Sequence, residues 1–156
     1  MATKKTFKRL LPLLLLPSVC IASERLEIDE NLLVGIESAI TKTDLTVVVQ
    51  EKSAKLLAET EEDGWVAEQI TAEVISVLSG QGVTEKQLLN YIQYTELDST
   101  NTLSQEAVMV SLCKEAETWY GAGIGTYFQL SPEQLAAAKQ IAEKHQNQPS
   151  SRAFCE

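Results

Sequence analysis

Between Ser104 and Tyr120 the apolar positions Val108, Met109, Leu112, Cys113, Ala116, Trp119 and Tyr120 cluster. At about 100° per residue they fall within an arc of roughly 140°, with Ser111, Lys114 and Thr118 opposite. That spacing predicts one helix with one broad buried face, ended by Gly121. Asp29 can cap an earlier helix from about Glu30 to Ile40, whose apolar side is Leu32, Leu33, Ile36, Ala39 and Ile40. From Leu45 to Glu59 a third stripe collects Leu45, Val49, Leu56 and Leu57. Its opening Thr46-Val47-Val48-Val49 favours a strand, because β-branched side chains are stiff in a helix. With no second strand-like run to pair with it, this segment too is read as helix. Val66, Ile70, Val74, Val77 and Leu78 predict a helix over Trp65–Ser79, ended by Gly80. Thr84-Glu85-Lys86-Gln87 has the form of a capping box opening a helix to about Thr95, and Leu97–Leu103 reads as a loop.

Ser131-Pro132-Glu133-Gln134 is the clearest helix start in the chain: a cap, a proline in the first turn and a glutamine completing the box. This helix runs to about Gln146. Its face of Leu135, Ala138, Ile141, Ala142 and His145 is narrow and small, suited to close approach by another helix. The expected fold is all-α: a single compact bundle of about six short helices over residues 23–156.

Composition changes the picture at the N-terminus. Lys4, Lys5, Lys8 and Arg9 precede the apolar run Leu10–Ile21, and Cys20-Ile21-Ala22 places small residues where a signal peptidase cuts. The run is short for a membrane span and is interrupted by Pro12 and Pro17. Residues 1–22 are therefore expected to be a cleaved signal peptide, and the protein periplasmic or secreted, with no stable membrane insertion. Lipidation at Cys20 is the weaker alternative, since Val19 is a poor neighbour for it. Removing a leader with four basic residues and no acidic one takes the formal charge from −9 to −13. Such a chain is repelled by nucleic acid. Cys113 and Cys155 then remain, and in an oxidising compartment they are expected to form one disulfide tying the tail to the central helix.

Candidate chemistry is sparse. The acidic knot Glu59, Glu61, Glu62 and Asp63 lacks the ligand spacing of a calcium loop; it suits a helix N-terminus, or an acidic patch for a partner. Gly121-Ala122-Gly123-Ile124-Gly125 follows a predicted helix and lacks a Lys-Ser/Thr pair, so it reads as a tight connection and not a phosphate loop. The aromatics around it, Trp119, Tyr120, Tyr127 and Phe128, are candidates to line a small pocket. His145, the only histidine, reads as a structural residue; a Cys113–His145 nucleophile pair would compete with the disulfide. No catalytic residue, metal site or cofactor is expected.

Gly82-Val83-Thr84 with Gln87-Leu88, then Glu106-Ala107-Val108 and a cysteine, is loosely similar to small periplasmic helical immunity proteins of bacterial toxin systems. The similarity covers about a quarter of the chain. The paired-cysteine and aromatic-glycine signature expected near the mature N-terminus is missing, so it assigns no family. The expected function is non-enzymatic binding of a protein partner, in the manner of an inhibitor or immunity-type protein. The alternative is a small hydrolase or ligand-binding protein using the Trp119–Phe128 region.

Overall fold

Val47, Val48 and Val49 are all buried, but in two different places. Val47 and Val49 join Leu45 in one apolar cluster, while Val48 joins another with residues of both helices. They belong to a strand, β1 (Leu45–Thr60), that is covered on both faces, which is why its apolar residues run continuously and do not alternate. The computed structural model describes residues 29–60, 64–100 and 102–156, with the side chains of 58–60 and 97 excepted. Besides β1 it contains β2 (Trp65–Gly80), β3 (Leu88–Glu96), β4 (Val108–Glu115), β5 (Thr118–Gly121) and β6 (Tyr127–Gln129). Helices α1 (Glu30–Lys42) and α2 (Pro132–His145) flank the strands in sequence, and a 3₁₀ turn follows β3 at Leu97–Ser99.

The sheet order is β1-β2-β3-β5-β4, and β1 also pairs with β4, so five strands close into a barrel. All ladders are antiparallel except β3 with β5. The β1–β2 hairpin carries four register shifts. Such bulges bend and coil a long hairpin, and here they let β1 reach β2 on one edge and β4 on the other. Leu45, Val47, Val49, Val74, Tyr91 and Leu112 fill the interior. Outside, α1 and α2 pack on each other and on Val48, Leu78 and Met109. Ala138 and Ala142 provide the small face that lets α2 approach α1 closely.

Where α1 meets the barrel, the buried polar groups are mutually satisfied. The Thr43 hydroxyl donates to Ala39 O at 2.7 Å, and the Thr46 hydroxyl lies 3.0 Å from that of Ser111 on β4. The tail after α2 is strapped down by the Cys113–Cys155 disulfide. Asp44 receives two guanidinium contacts from Arg152, at 2.7 and 3.1 Å, and Phe154 N–H donates to Lys42 O at 3.0 Å.

This architecture overturns the expectation of an all-α bundle of about six helices: the barrel is built of strands and only two helices are present among the described residues. The segments read as helices over Leu45–Glu59, Trp65–Ser79, Thr84–Thr95 and Ser104–Tyr120 are wholly or mostly strand. In β2, Val66, Ile70 and Val74 recur every four residues, a spacing that keeps one face in a helix and in a strand alike. The positions between them that share this face are Glu68 and Ala72, so the strand alternation is masked. In β4 the six residues from Val108 to Cys113 are all buried, leaving no alternation to detect. Gln87 does reach back to Thr84 N at 3.1 Å, but the bond closes a turn into β3, with Lys86 at φ 64°, and no helix follows. The leader expected over residues 1–22 lies outside the described residues. No helix among those described is long and apolar enough to cross a membrane.

Candidate functional site: an open seam beside β3

The barrel is closed between β3 and β5 by only two residue pairs, Tyr91 with Trp119 and Ile92 with Tyr120. Beyond Ile92, β3 continues to Glu96, but among the described residues Gln93–Glu96 are laddered to β2 alone. On the far side β6 is laddered to β4 alone. The chain between β5 and β6 turns away over Ala122–Thr126, with Gly123 and Gly125 at positive φ, and a seam is left between the end of β3 and β6. A cavity of about 520 Å³ enters it, reaching inward to Tyr91 and Leu112. A second, of about 710 Å³, sits at the adjoining barrel mouth. Gln93, Thr95, Ser99 and Tyr127 line both, so the two form one continuous groove.

Its outer rim is apolar. Tyr94 is 55 % exposed, Ile124 93 %, and Trp65 and Tyr127 each 37 %. Trp65 starts β2 opposite Glu96, one residue pair from the Ala67–Tyr94 pair's neighbour Val66–Thr95, so both aromatics stand at the same end of the sheet. Exposed large apolar residues gathered at a groove are the usual mark of a binding surface.

Its floor is acidic. Glu51 and Glu68 are buried and, with Glu106, line the cavity at the barrel mouth. Tyr91 donates its hydroxyl to Glu51 Oε1 at 3.0 Å, and Ser104 N–H donates to Oε2 at 2.8 Å. Ser104 Oγ in turn accepts from Gln129 Nε2 at 3.1 Å. Burial first, then the neighbouring charge of Glu51, pushes the Tyr127 hydroxyl up to about 12. The same two causes raise Tyr91 still further. Both phenols are therefore neutral donors throughout the physiological range. Among the described residues no Lys, Arg or His lines either cavity.

The residues singled out from sequence are dispersed. Of the pocket candidates, Tyr127 faces the groove, whereas its neighbour Phe128 turns to the opposite face and packs with the helices. Trp119 packs against the barrel interior at the far end, beneath Lys114 Nζ, and Tyr120 pairs with Cys113. Glu59 lies on β1 opposite Val66; Glu61, Glu62 and Asp63 lie outside the described residues. His145 Nε2 sits 2.6 Å from Glu37 and its Nδ1 2.7 Å from Gln148, and these two contacts raise its pKa. Bonded to Cys155, Cys113 offers no thiol to it. The reading from sequence missed Glu51, Glu68, Trp65 and Tyr94. The one available signal was parity: Glu68 shares the inward register of Val66, Ile70 and Val74.

The fold and groove define a class. A five-stranded barrel in this strand order, with β3 and β5 parallel, has the topology of the OB fold. The fold alone carries no function. No family model matches the chain, and no curated protein matches it.

Proposed function

We propose that this is an exported, non-enzymatic binding protein whose groove beside β3 takes a basic segment of a protein partner. The observation that carries the reading is the pairing of an apolar rim with a floor of buried carboxylates and, among the described residues, no lining cation. Glu51 is already held by Tyr91 and Ser104, and the negative potential that the carboxylates leave at the groove favours a lysine or arginine side chain that enters it. The acidic chain favours such a partner over a long range and disfavours nucleic acid, a common ligand of this barrel type. The exposed aromatic side chains provide the apolar contact area that dominates binding hot spots. Neutralisation of a toxin-like or enzymatic partner is one form of this activity; the groove itself requires only a basic, extended surface.

The protein has two tryptophans, so in a Trp119→Phe variant the fluorescence reports on Trp65 alone. Titration with polylysine is expected to change that signal, and titration with polyglutamate is not. Tyr94→Ala is expected to weaken the polylysine response by about tenfold or more, the range of a hot-spot truncation. Equal responses to both polymers, or an unchanged affinity in Tyr94→Ala, would overturn the proposal.

A further inference from the structure

Resting on that reading, we infer that Glu51 is the positioning residue of the groove: its carboxylate clasps β3, β6 and the chain before β4 to β1 at the level where the barrel's ladders stop, and so holds Tyr127 and Ser104 where a bound segment meets them. Among the described residues, β1 is paired with β4 from Leu45 to Val49 and β3 with β5 at Tyr91 and Ile92, and no ladder carries the closure further. At the same level β6 pairs with β4 over Val108–Val110. Glu51 stands two residues past the end of the β1–β4 ladder. Strand alternation puts it on the inward face of Val47 and Val49, and it is buried there.

Donors from three segments meet the carboxylate. The Tyr91 hydroxyl on β3 donates to Oε1 at 3.0 Å, Ser104 N–H ahead of β4 donates to Oε2 at 2.8 Å, and the Tyr127 hydroxyl on β6 is hydrogen-bonded to the same group. Ser104 extends the network. Its carbonyl accepts from Gln50 Nε2 at 3.4 Å, and its hydroxyl oxygen accepts from Glu106 N–H at 3.2 Å and from Gln129 Nε2 at 3.1 Å. Both ends of β6 are thus referred to one carboxylate on β1. An ionised carboxylate only accepts, with room for about four donors, and hydrogen bonds to it are about twice as strong as those between neutral groups. A glutamine of the same shape offers one oxygen and aims an amide N–H at a donor. An apolar residue leaves the three donors without their buried partner. The side chains held in this way face the ligand: Tyr127, Ser104 and Gln129 all line the groove. A groove already held in shape loses less freedom on binding than one that must first be assembled, so loss of the clasp appears as loss of affinity.

The test uses the full mature chain and two variants that separate the clasp from its charge. Glu51→Gln removes the carboxylate, whereas Tyr91→Phe keeps it and removes only a buried hydroxyl. In amide relaxation dispersion, each variant is expected to show millisecond exchange broadening at Gln93–Glu96 and Tyr127–Gln129 that wild type lacks, with none at Leu45–Val49. Each is also expected to bind polylysine about tenfold more weakly, as when about a tenth of the molecules keep a competent groove. A purely structural role would lower the unfolding midpoint without either change. If polylysine binding weakens in Glu51→Gln alone and neither variant broadens the seam, the charge acts without a clasp; the inference is overturned and the basic-segment reading stands. If broadening spreads equally to Leu45–Val49, Glu51 supports the whole barrel and the inference is overturned. If wild type ignores polylysine, the basic-segment reading is overturned, and the presence or absence of seam broadening in the two variants then upholds or overturns the clasp on its own.

Discussion

Reducing the Cys113–Cys155 disulfide should destabilise this protein mainly through its unfolded state. The bridge joins residues separated by 42 positions. In the chain-entropy treatment a loop of that size restricts the unfolded ensemble by about 4 kcal/mol. The native state has other means of holding the tail: the Arg152–Asp44 pair and the bonds from Ser151 N–H to Thr41 O and Phe154 N–H to Lys42 O. The folded tail therefore has little to lose when the bond opens. With a urea m-value of roughly 2 kcal/mol per molar, the midpoint should fall by about 2 M. The assay is equilibrium urea unfolding followed by circular dichroism, with and without dithiothreitol, at one pH and temperature. Arg152→Ala serves as the comparison, because a half-exposed ion pair contributes at most about 1 kcal/mol. A shift below about 0.5 M on reduction would refute the reasoning, since it would mean that the unfolded chain gains no freedom. A reduced protein that has lost its tail protection, with a shift matched by Arg152→Ala, would mean that the effect lies in the native state instead.

Three further outcomes follow from the packing and the charges. A Cβ on Gly80, at φ 96°, would collide with Asp44 O and lie 2.8 Å from Leu45 Cα, whereas one on Gly82, at φ 86°, meets nothing within 4 Å. Gly80→Ala should prevent normal folding or depress the melting temperature severely, while Gly82→Ala should cost only the strain of its backbone conformation, about 1–2 kcal/mol; equal effects would contradict the close approach. Tyr91→Phe removes the hydroxyl donor to a buried carboxylate and should cost about 1.5–3 kcal/mol, measured by urea unfolding. The His145–Glu37 contact should stabilise over a defined pH window. The raised His145 keeps its contribution below 6.5 and loses it as pH rises through its higher folded value; the lowered Glu37 keeps its contribution above 4.5 and loses it as pH falls through its lower one. The stability difference between wild type and Glu37→Gln, measured across pH, should accordingly be greatest from about 4.5 to 6.5 and shrink on either side.

Local signals in the chain were read where they act locally. Asp29 caps α1, accepting from Asn31 N–H at 2.9 Å, and Ser131 and Gln134 form a capping box at α2. Both helices were therefore visible, and so was the disulfide, because Cys113 and Cys155 are the two cysteines outside the expected leader. The barrel was not, because its evidence is non-local. The valines of β1 argue for a strand only if a partner exists, and β2 and β4 conceal themselves, one behind a four-residue spacing and the other behind burial on both faces. The groove was hidden for the same reason. Glu51, Glu68 and Tyr94 come from three strands, and nothing in their own neighbourhoods marks them as convergent until the ladders are known. Tyr127 alone was singled out in advance, as a member of an aromatic set that strand alternation then divides.

The double pairing of β1 has a consequence for how the chain matures. Leu45 meets Gly80, at the other end of the same hairpin, on one edge, but on the other it meets Leu112. Emerging from N- to C-terminus, the chain completes the β1–β2 hairpin well before β4 exists to cover it. During that interval Val47 and Val49 and a bare backbone edge are open to other nascent copies, the kind of surface from which aggregation starts. Closing so distant a contact is also slow. The Cys113–Cys155 bridge joins β4 to the tail after α2, so it forms after this interval and cannot shorten it.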